Sequence, residues 1–147
     1  GFYKHFGSKA DLMAEAAACG LAQSLENSAE LDIVGFFDQY LTRQHRDAPG
    51  AGCTMAALCG DAARQPKEVK ASFAQGLENM LSAIEREGTA LTGVEPQAMR
   101  AKIIDTMAHA IGAIVLSRAC PDDSALADEI LDVCRKQILP PLRHNDV

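Results

Sequence analysis

The sequence predicts an all-α protein, and three features of its composition and patterning indicate this fold class. Alanine, leucine and other strong helix formers dominate, while runs of β-branched residues are short and scattered. Apolar residues recur at intervals of three and four over long segments, which is the periodicity of helices that bury one face. Glycine and proline separate those segments. The length of 147 residues suits one domain that closes a hydrophobic core.

The chain begins with the end of one predicted helix and the start of another. Gly7 fits the end of a helix, so residues 1–6 are interpreted as the tail of that element. Ser8 and Asp11 form an S-x-x-D pattern that resembles a capping box. We expect the alanine-rich helix that begins there to run to about Asn27.

Three more helices are predicted in the middle of the chain. The first spans about Leu31 to His45 and is followed by a loop over residues 47–52, which contains a proline and two glycines. A short helix follows over about Cys53 to Arg64. A longer one runs from Pro66 to Gly88 and carries an unbroken apolar stripe made of Val69, Phe73, Leu77, Met80 and Ile84.

Two helices complete the chain, at about Pro96 to Ala119 and Asp123 to Ile138, and Pro140-Pro141 are expected to stop the second. From Ala108 onward the first of them is apolar nearly all round, so it must be covered on every side. We expect a second copy of the chain to supply part of that cover through a four-helix bundle across a two-fold axis. The expected interface consists of Ala108, Gly112, Val115, Leu126, Ile130 and Cys134.

The charge is unevenly distributed along the chain. The formal net charge is −6, which argues against nucleic-acid binding by the chain as a whole. The first ten residues hold Lys4 and Lys9 and no acid, so the rest of the chain carries 12 basic and 20 acidic residues. A basic end on an acidic body suits a protein that contacts phosphate at one end only. An ordinary solvated helix surface is the alternative interpretation of the two lysines.

The cysteines and the hydropathy pattern indicate an intracellular setting. Five cysteines occur at wide spacing without a C-x-x-C pair, namely Cys19, Cys53, Cys59, Cys120 and Cys134. This pattern indicates neither a disulfide framework nor a zinc site, and we expect reduced thiols in a cytoplasmic protein. No secretory segment is evident, and no apolar run approaches the roughly 20 residues that span a bilayer, so no membrane partner is expected.

The first twelve residues, GFYKHFGSKADL, carry a family resemblance. They resemble the junction between the recognition helix and the first core helix of TetR-family transcriptional repressors, in which a Tyr, a variable residue, a His and an aromatic or aliphatic residue precede a short turn. A Lys, an acid and a Leu then follow. The matching residues here are Tyr3, His5, Phe6, Lys9, Asp11 and Leu12. More loosely, Gly52-Cys53 and the segment 62–66 are similar to one regulatory-domain subgroup of that family.

The resemblance implies a TetR-like organisation. Residues 1–7 would be the end of a helix-turn-helix recognition helix, with most of that motif expected upstream of Gly1. Residues 8–147 would form a ligand-binding and dimerisation domain that ends in the four-helix bundle. The resemblance assigns operator-DNA contacts to Tyr3, Lys4, His5 and Lys9, with Tyr3 and Lys9 on phosphates. The alternative is that Tyr3 and His5 are polar helix ends packed on a neighbouring helix.

The resemblance also implies that a small apolar inducer binds in the helical core and releases operator DNA. Methionine is flexible and polarisable, so several methionines together could line an adaptable cavity. His109 is the polar group that could orient such a ligand. Plain core packing is the alternative for each candidate. The candidate pocket residues are Phe37, Tyr40, Met55, Phe73, Leu77, Met80, Met107, His109 and Ile111.

Three other functions are alternatives to an inducer-binding repressor. Cys53 and Cys59 could make the same fold a thiol-based redox or electrophile sensor, because Cys53 lies at a predicted helix N-terminus. A helical dimerisation module without a ligand is a further alternative. An enzyme is not expected, because the sequence lacks a glycine-rich phosphate loop, an HExxH motif and a GxSxG motif. No catalytic residue, metal site or cofactor is therefore assigned.

Overall fold

The computed structural model describes residues 33–50 and 53–143, together with the helical residue Leu12. Over these residues the chain is all-α without a strand, so the predicted fold class is confirmed. The rest of the helix expected over Ser8–Asn27 lies outside the described residues. No described helix is long and apolar enough to cross a membrane. Residues 33–50 and 53–143 form six helices, which are α1 (Ile33–Tyr40), α2 (Arg43–Asp47), α3 (Thr54–Ala62), α4 (Lys67–Thr92), α5 (Pro96–Arg118) and α6 (Ala125–Arg143).

Helix α5 is the centre of the fold. It contacts α2, α3, α4 and α6, while α1 packs against α6. One face of α5 is buried along its whole length, because buried residues recur at intervals of three and four. Those residues are Met99, Ile103, Thr106, Met107, Ala110, Ala113, Ile114 and Ser117. The core formed around this face is continuous from α1 to α6.

The helix predicted over Leu31 to His45 is divided into α1 and α2 by Thr42. The Thr42 hydroxyl donates to the Gln39 carbonyl oxygen at 2.8 Å and accepts the His45 N–H at 3.2 Å. Threonine favours such a cap because its short side chain competes with the backbone for local hydrogen bonds. The same residue therefore ends one helix and begins the next, so the prediction of a single helix was wrong.

The expectation that Gly88 closes its helix was also wrong. Helix α4 continues to Thr92 and ends at Gly93, whose φ of +71° is in the left-handed region that glycine adopts readily. Gly88 lies within α4, where α5 approaches it closely. A Cβ at Gly88 would lie 2.8 Å from Met99 Sδ, so the absent side chain serves helix packing rather than helix termination.

Pro140 and Pro141 do not stop the last helix, because α6 continues through both prolines to Arg143. Each proline removes one helical hydrogen bond, since it has no N–H to donate to the fourth preceding carbonyl. The last turns of α6 are held instead by burial of apolar side chains from Ile138, Leu139 and Leu142. Tertiary packing therefore outweighs the local preference for ending the helix.

A buried arginine joins α2 to the end of α5. The Arg46 side chain is only 2% exposed, and its Nε donates to Ser117 Oγ at 2.8 Å. Its Nη2 donates to the carbonyl oxygens of Ser117 and Cys120, both at 2.9 Å. Its Nη1 donates to the carboxylates of Asp47 at 2.6 Å and Asp122 at 2.9 Å. All five guanidinium N–H groups thus have acceptors. We call Arg46 and these partners the arginine clamp.

The arginine clamp extends to the beginning of α6 and to the backbone of α2. The Ser117 hydroxyl donates to the Ala127 carbonyl oxygen at 2.8 Å. Arg118 donates from Nε to the Arg46 carbonyl oxygen at 2.9 Å and from Nη2 to the His45 carbonyl oxygen at 3.0 Å. The short helix α2, which has five residues, is therefore held mainly by hydrogen bonds from α5 rather than by its own length.

Replacing Arg46 with methionine is expected to lower the free energy of unfolding by roughly 2–4 kcal/mol. The methionine fills similar space but leaves the Ser117 hydroxyl and two backbone carbonyls without their donor, and buried unpaired polar groups are costly. Urea unfolding followed by circular dichroism measures the effect. Asp122→Asn is the control and should cost far less, because the Asp122 side chain is 90% exposed. Equal losses for the two variants would contradict the arginine clamp.

Candidate ligand-binding core and helix surface

The structure brings together eight of the nine residues expected to line a pocket. Phe37, Tyr40, Met55, Met80 and Met107 are buried in one hydrophobic cluster. Phe73, Leu77 and Ile111 are partly buried and pack against that cluster. These eight residues come from α1, α3, α4 and α5. They form the candidate ligand-binding core, which also serves as the packed interior of the domain.

His109 does not belong to the candidate ligand-binding core. It is exposed, whereas Met107 and Ala110 on either side of it along α5 are buried. Successive residues of a helix are about 100° apart, so His109 points roughly 200° away from Met107. The expectation that His109 orients a ligand in the core was therefore wrong, because the helix phase turns it outward.

Methionine is unusually prominent in this core. The chain has five methionines, and Met55, Met80, Met99 and Met107 are all buried, each at most 8% exposed. They approach from α3, α4 and α5. A thioether side chain has three rotatable bonds and changes rotamer readily, so a methionine-lined interior can change shape at low cost. This property suits a site that must open for a ligand.

Tyr40 supplies a polar group to this otherwise apolar interior. Its hydroxyl oxygen is buried and makes no hydrogen bond of ordinary geometry among the described residues, although the Cys53 thiol is near enough to interact with it. Its ring contacts Phe36 at a centroid distance of 5.7 Å and Phe37 at 6.3 Å. Burial first, and then the neighbouring Cys53 thiol, raise the pKa of Tyr40 far above its ordinary value, so the hydroxyl remains a neutral donor. An unpaired buried hydroxyl costs roughly 1–3 kcal/mol, and a ligand could recover this.

His45 lies directly beside Tyr40 and was missed by the sequence reasoning. The two ring centroids are 4.4 Å apart, and His45 Nδ1 lies 2.7 Å from the Tyr40 carbonyl oxygen. The Cys53 backbone N–H donates to His45 Nε2 at 3.0 Å. Burial first, and also the Arg118 guanidinium, lower the pKa of His45, against an opposing effect of the hydrogen bond to Tyr40. Nothing in the local sequence distinguishes this histidine from a solvated one.

The described cysteines are free, half-buried thiols at positions 53, 59, 120 and 134. Burial raises the pKa of Cys59 and of Cys134, which lowers their thiolate fraction at neutral pH. Cys53 immediately precedes α3, as the sequence predicted, and its side chain makes no capping hydrogen bond. A thiol-sensing role for Cys59 is therefore disfavoured by its environment, while that for Cys53 remains a prediction.

The residues expected at a dimer interface form part of an exposed apolar surface. Val115 and Leu126 are 44% and 52% exposed, and Ala108 is also exposed. Gly112, Ile130 and Cys134 are half-buried. Two exposed residues that were not predicted, Ile104 and Val133, continue the same helical spacing. We call Ile104, Ala108 and Val115 the α5 stripe, and Leu126, Ile130 and Val133 the α6 stripe.

The expected DNA contacts and a surface recess lie apart from the candidate ligand-binding core or outside the described residues. Tyr3, Lys4, His5 and Lys9, the expected DNA contacts, lie outside the described residues. A recess of about 270 Å³ is formed at the arginine clamp by Arg46, Asp47, Pro49, Arg118 and Asp122, away from the candidate ligand-binding core. In the part of the chain that the structure describes, no group of three or more His, Cys, Asp or Glu side chains is placed to hold a metal ion.

Tyr40→Phe is expected to leave the free energy of unfolding unchanged or to raise it by up to about 1 kcal/mol, because it removes a buried hydroxyl that makes no hydrogen bond of ordinary geometry with any described residue. Ser117→Ala is the matched control. The Ser117 hydroxyl is fully buried, accepts from Arg46 and donates to Ala127, so its loss should cost about 1–3 kcal/mol. Thermal and urea unfolding compare the two variants. A larger loss for Tyr40→Phe would show that its hydroxyl is bonded in the folded chain.

Comparison with known proteins adds no family assignment to this geometry. No protein-family model matches the sequence, and no curated protein matches it. The likeness to TetR-family repressors therefore rests on the residues of the sequence that carry it.

Proposed function

We propose that this chain is the regulatory part of a ligand-responsive, DNA-binding transcriptional repressor of the TetR type. The observation that carries the proposal is the cluster of Tyr3, His5, Lys9 and their neighbours at the spacing of the family's DNA-proximal junction. The all-α architecture of the described residues is compatible with such a regulatory domain. The partners are operator DNA, a small apolar inducer and a second copy of the chain.

The candidate ligand-binding core supports an inducer of a particular chemistry. Its lining is apolar and rich in methionine, so the ligand is small and largely apolar. Tyr40 offers one buried hydroxyl that makes no hydrogen bond of ordinary geometry within the described part of the chain. A ligand that carries a hydrogen-bond acceptor would satisfy that hydroxyl and gain affinity over a purely hydrocarbon ligand of the same size.

The α5 stripe and the α6 stripe support homodimerisation. Both consist of apolar residues at helical spacing that the single chain leaves exposed or, at Ile130, only half-buried. The two helices are 23 and 19 residues long, which is enough to pair along several turns. Packing with the same two helices of a second copy would form a four-helix bundle with a two-fold axis.

The arginine clamp connects the segment made of α1 and α2 with the turn between α5 and α6. It fixes α2, and through Thr42 the end of α1, to the turn between α5 and α6. An inducer between α1, α3, α4 and α5 would move α1, and the arginine clamp would pass that movement to the turn between the dimer helices α5 and α6. Differential binding to the displaced conformation would then lower operator affinity, since a ligand shifts an equilibrium only by its affinity difference between two states.

DNA binding is tested with the full-length natural protein on DNA from its own promoter region, by fluorescence anisotropy at several salt concentrations. Lys9→Gln is expected to weaken binding to all sequences similarly and to reduce the salt slope by about one, because one phosphate contact is lost. Lys136→Gln is the matched control, since Lys136 is 72% exposed on α6 and pairs with Asp132. Equal behaviour of the two variants would contradict the assigned phosphate contact.

The same assay identifies the inducer from a panel of small apolar compounds and mild electrophiles. Release of DNA by a reversible apolar compound with an acceptor group supports the inducer-binding core. Release only by electrophiles, reversed by a reductant, would transfer the function to the thiols. Absence of specific DNA binding by the full-length protein would remove the proposal.

Val115→Lys is expected to raise the dimer dissociation constant about a hundredfold or more, because it places an unpaired charge in each half of the proposed interface. Val115 is 44% exposed in the single chain, so the lysine need not disturb the fold. Leu91→Lys is the matched control on α4, where Leu91 is 82% exposed outside both stripes. Sedimentation equilibrium compares them. A monomeric parent chain, or equal weakening by both variants, would be incompatible with this interface.

A further inference from the structure

His45 connects three segments of the fold through one neutral imidazole ring. Because Nε2 accepts the Cys53 N–H, that nitrogen must carry a lone pair, and the ring proton must therefore lie on Nδ1. The Nδ1–H then donates to the Tyr40 carbonyl oxygen at 2.7 Å. One tautomer thus holds the C-terminal residue of α1 and the residue that precedes α3.

Protonation is incompatible with this pair of hydrogen bonds. An imidazolium has two N–H donors and no acceptor, so a proton on Nε2 would face the Cys53 N–H directly. The chain around Cys53 would have to move away. Cys53 is the N-cap residue of α3, and Met55 in the first turn of α3 is buried in the candidate ligand-binding core. Movement at Cys53 would therefore loosen one wall of that core.

The surroundings of His45 oppose a positive charge. Arg118 on α5 directs its guanidinium to the His45 carbonyl oxygen and adds like charge. Tyr40 on α1 and Cys59 within α3 have raised pKa values, so both are neutral groups at neutral pH, and the Cys53 thiol precedes α3.

The charged groups of α2 itself give no compensation. Arg43 and Arg46 are cations, and both bind the carboxylate of Asp47. His45 takes part in none of the ion pairs found among the described residues. The remaining carboxylates near α2, Asp122 and Asp128, are engaged by Arg46 and Arg43.

We propose that His45 is an acid-sensitive latch that holds the start of α3 against the end of α1 and opens when the ring is protonated. The closed latch keeps the neutral ring between the Tyr40 carbonyl and the Cys53 N–H. Opening releases the Cys53 backbone, so the mobility of the adjoining start of α3 becomes dependent on pH. The latch concerns the fold of the described residues and does not depend on the proposed DNA-binding function.

The direction of the pH effect follows from linkage. Burial and Arg118 lower the pKa of His45 in the folded chain below its ordinary value of 6.5. The stability contributed by the latch is therefore fully present above the pKa that His45 has in the unfolded chain. This stability is lost as the pH falls from that value through the lowered pKa of His45 in the folded chain, because the open form binds a proton more readily than the closed form.

The first measurement is a long-range ¹H–¹⁵N correlation spectrum of the whole chain, recorded through a pH titration. We expect His45 to be the Nδ1–H tautomer at neutral pH and to titrate below the ordinary histidine pKa of 6.5. An Nε2–H tautomer, or a titration of His45 at or above that value, would overturn the latch. This measurement requires no variant.

The second measurement is hydrogen exchange at the Cys53 amide, expressed as a protection factor so that intrinsic pH dependence is removed. In the parent chain the protection factor should fall as the pH drops, by about tenfold for each unit by which the latch lowers the His45 pKa. His45→Gln keeps an acceptor without a titratable ring and should remove this dependence, whereas His109→Gln should retain it. A protection factor that does not change through the His45 titration in the parent chain would overturn the proposal.

Discussion

The position of α2 depends on how the buried guanidinium of Arg46 obtains its acceptors. A cation that is 2% exposed has lost nearly all contact with water, so each of its five N–H groups must find an oxygen within the protein. Those oxygens come from Asp47 on α2, from Ser117 at the end of α5, and from Cys120 and Asp122 in the following turn. Because all must be reached together, only one placement of α2 satisfies them. That placement also sets where α1 ends and therefore where Tyr40 enters the core.

Helix α5 carries apolar residues on two different faces, one buried in the core and one partly exposed. From Ala108 onward it is apolar nearly all round, although a helix that packs one face into a single core needs only one apolar face. Its inner face carries Met107 and Ile114 in the core, and its outer face carries Ile104 and Val115, which remain about half exposed. An exposed stripe of this kind is unfavourable in water. A second copy that covers the stripe, as proposed above, would remove that cost.

Periodicity predicted the fold class and the helices well, because burial of one face at a 3.6-residue repeat is a local property of the sequence. The errors arise where distant parts of the chain decide the outcome. Gly88 lies where α4 closely approaches Met99 of α5. Helix α6 continues through Pro140 because the apolar side chains around that proline are buried. The error at His109 was avoidable, since counting two residues from Met107 turns it outward. The arginine clamp was not predictable, because Arg46 and Ser117 are 71 residues apart and each is ordinary in its own segment.

Three polar groups of the described interior differ in how fully their hydrogen bonds are made, and this difference helps to separate structural from functional roles. Ser117 makes both of its possible hydroxyl interactions, so it contributes to a fixed arrangement. His45 is satisfied only in one protonation state, so its contribution is conditional on pH. The Tyr40 hydroxyl makes no hydrogen bond of ordinary geometry among the described residues and has only the Cys53 thiol beside it, so it stays open to a further partner. The adjacency of Tyr40 and His45 places the conditional group beside the unsatisfied one. The core beside Tyr40 and His45 therefore combines a poorly paired hydroxyl with a wall whose hydrogen bonds depend on the protonation state of His45. A ligand site needs both an open polar group and a wall that can move.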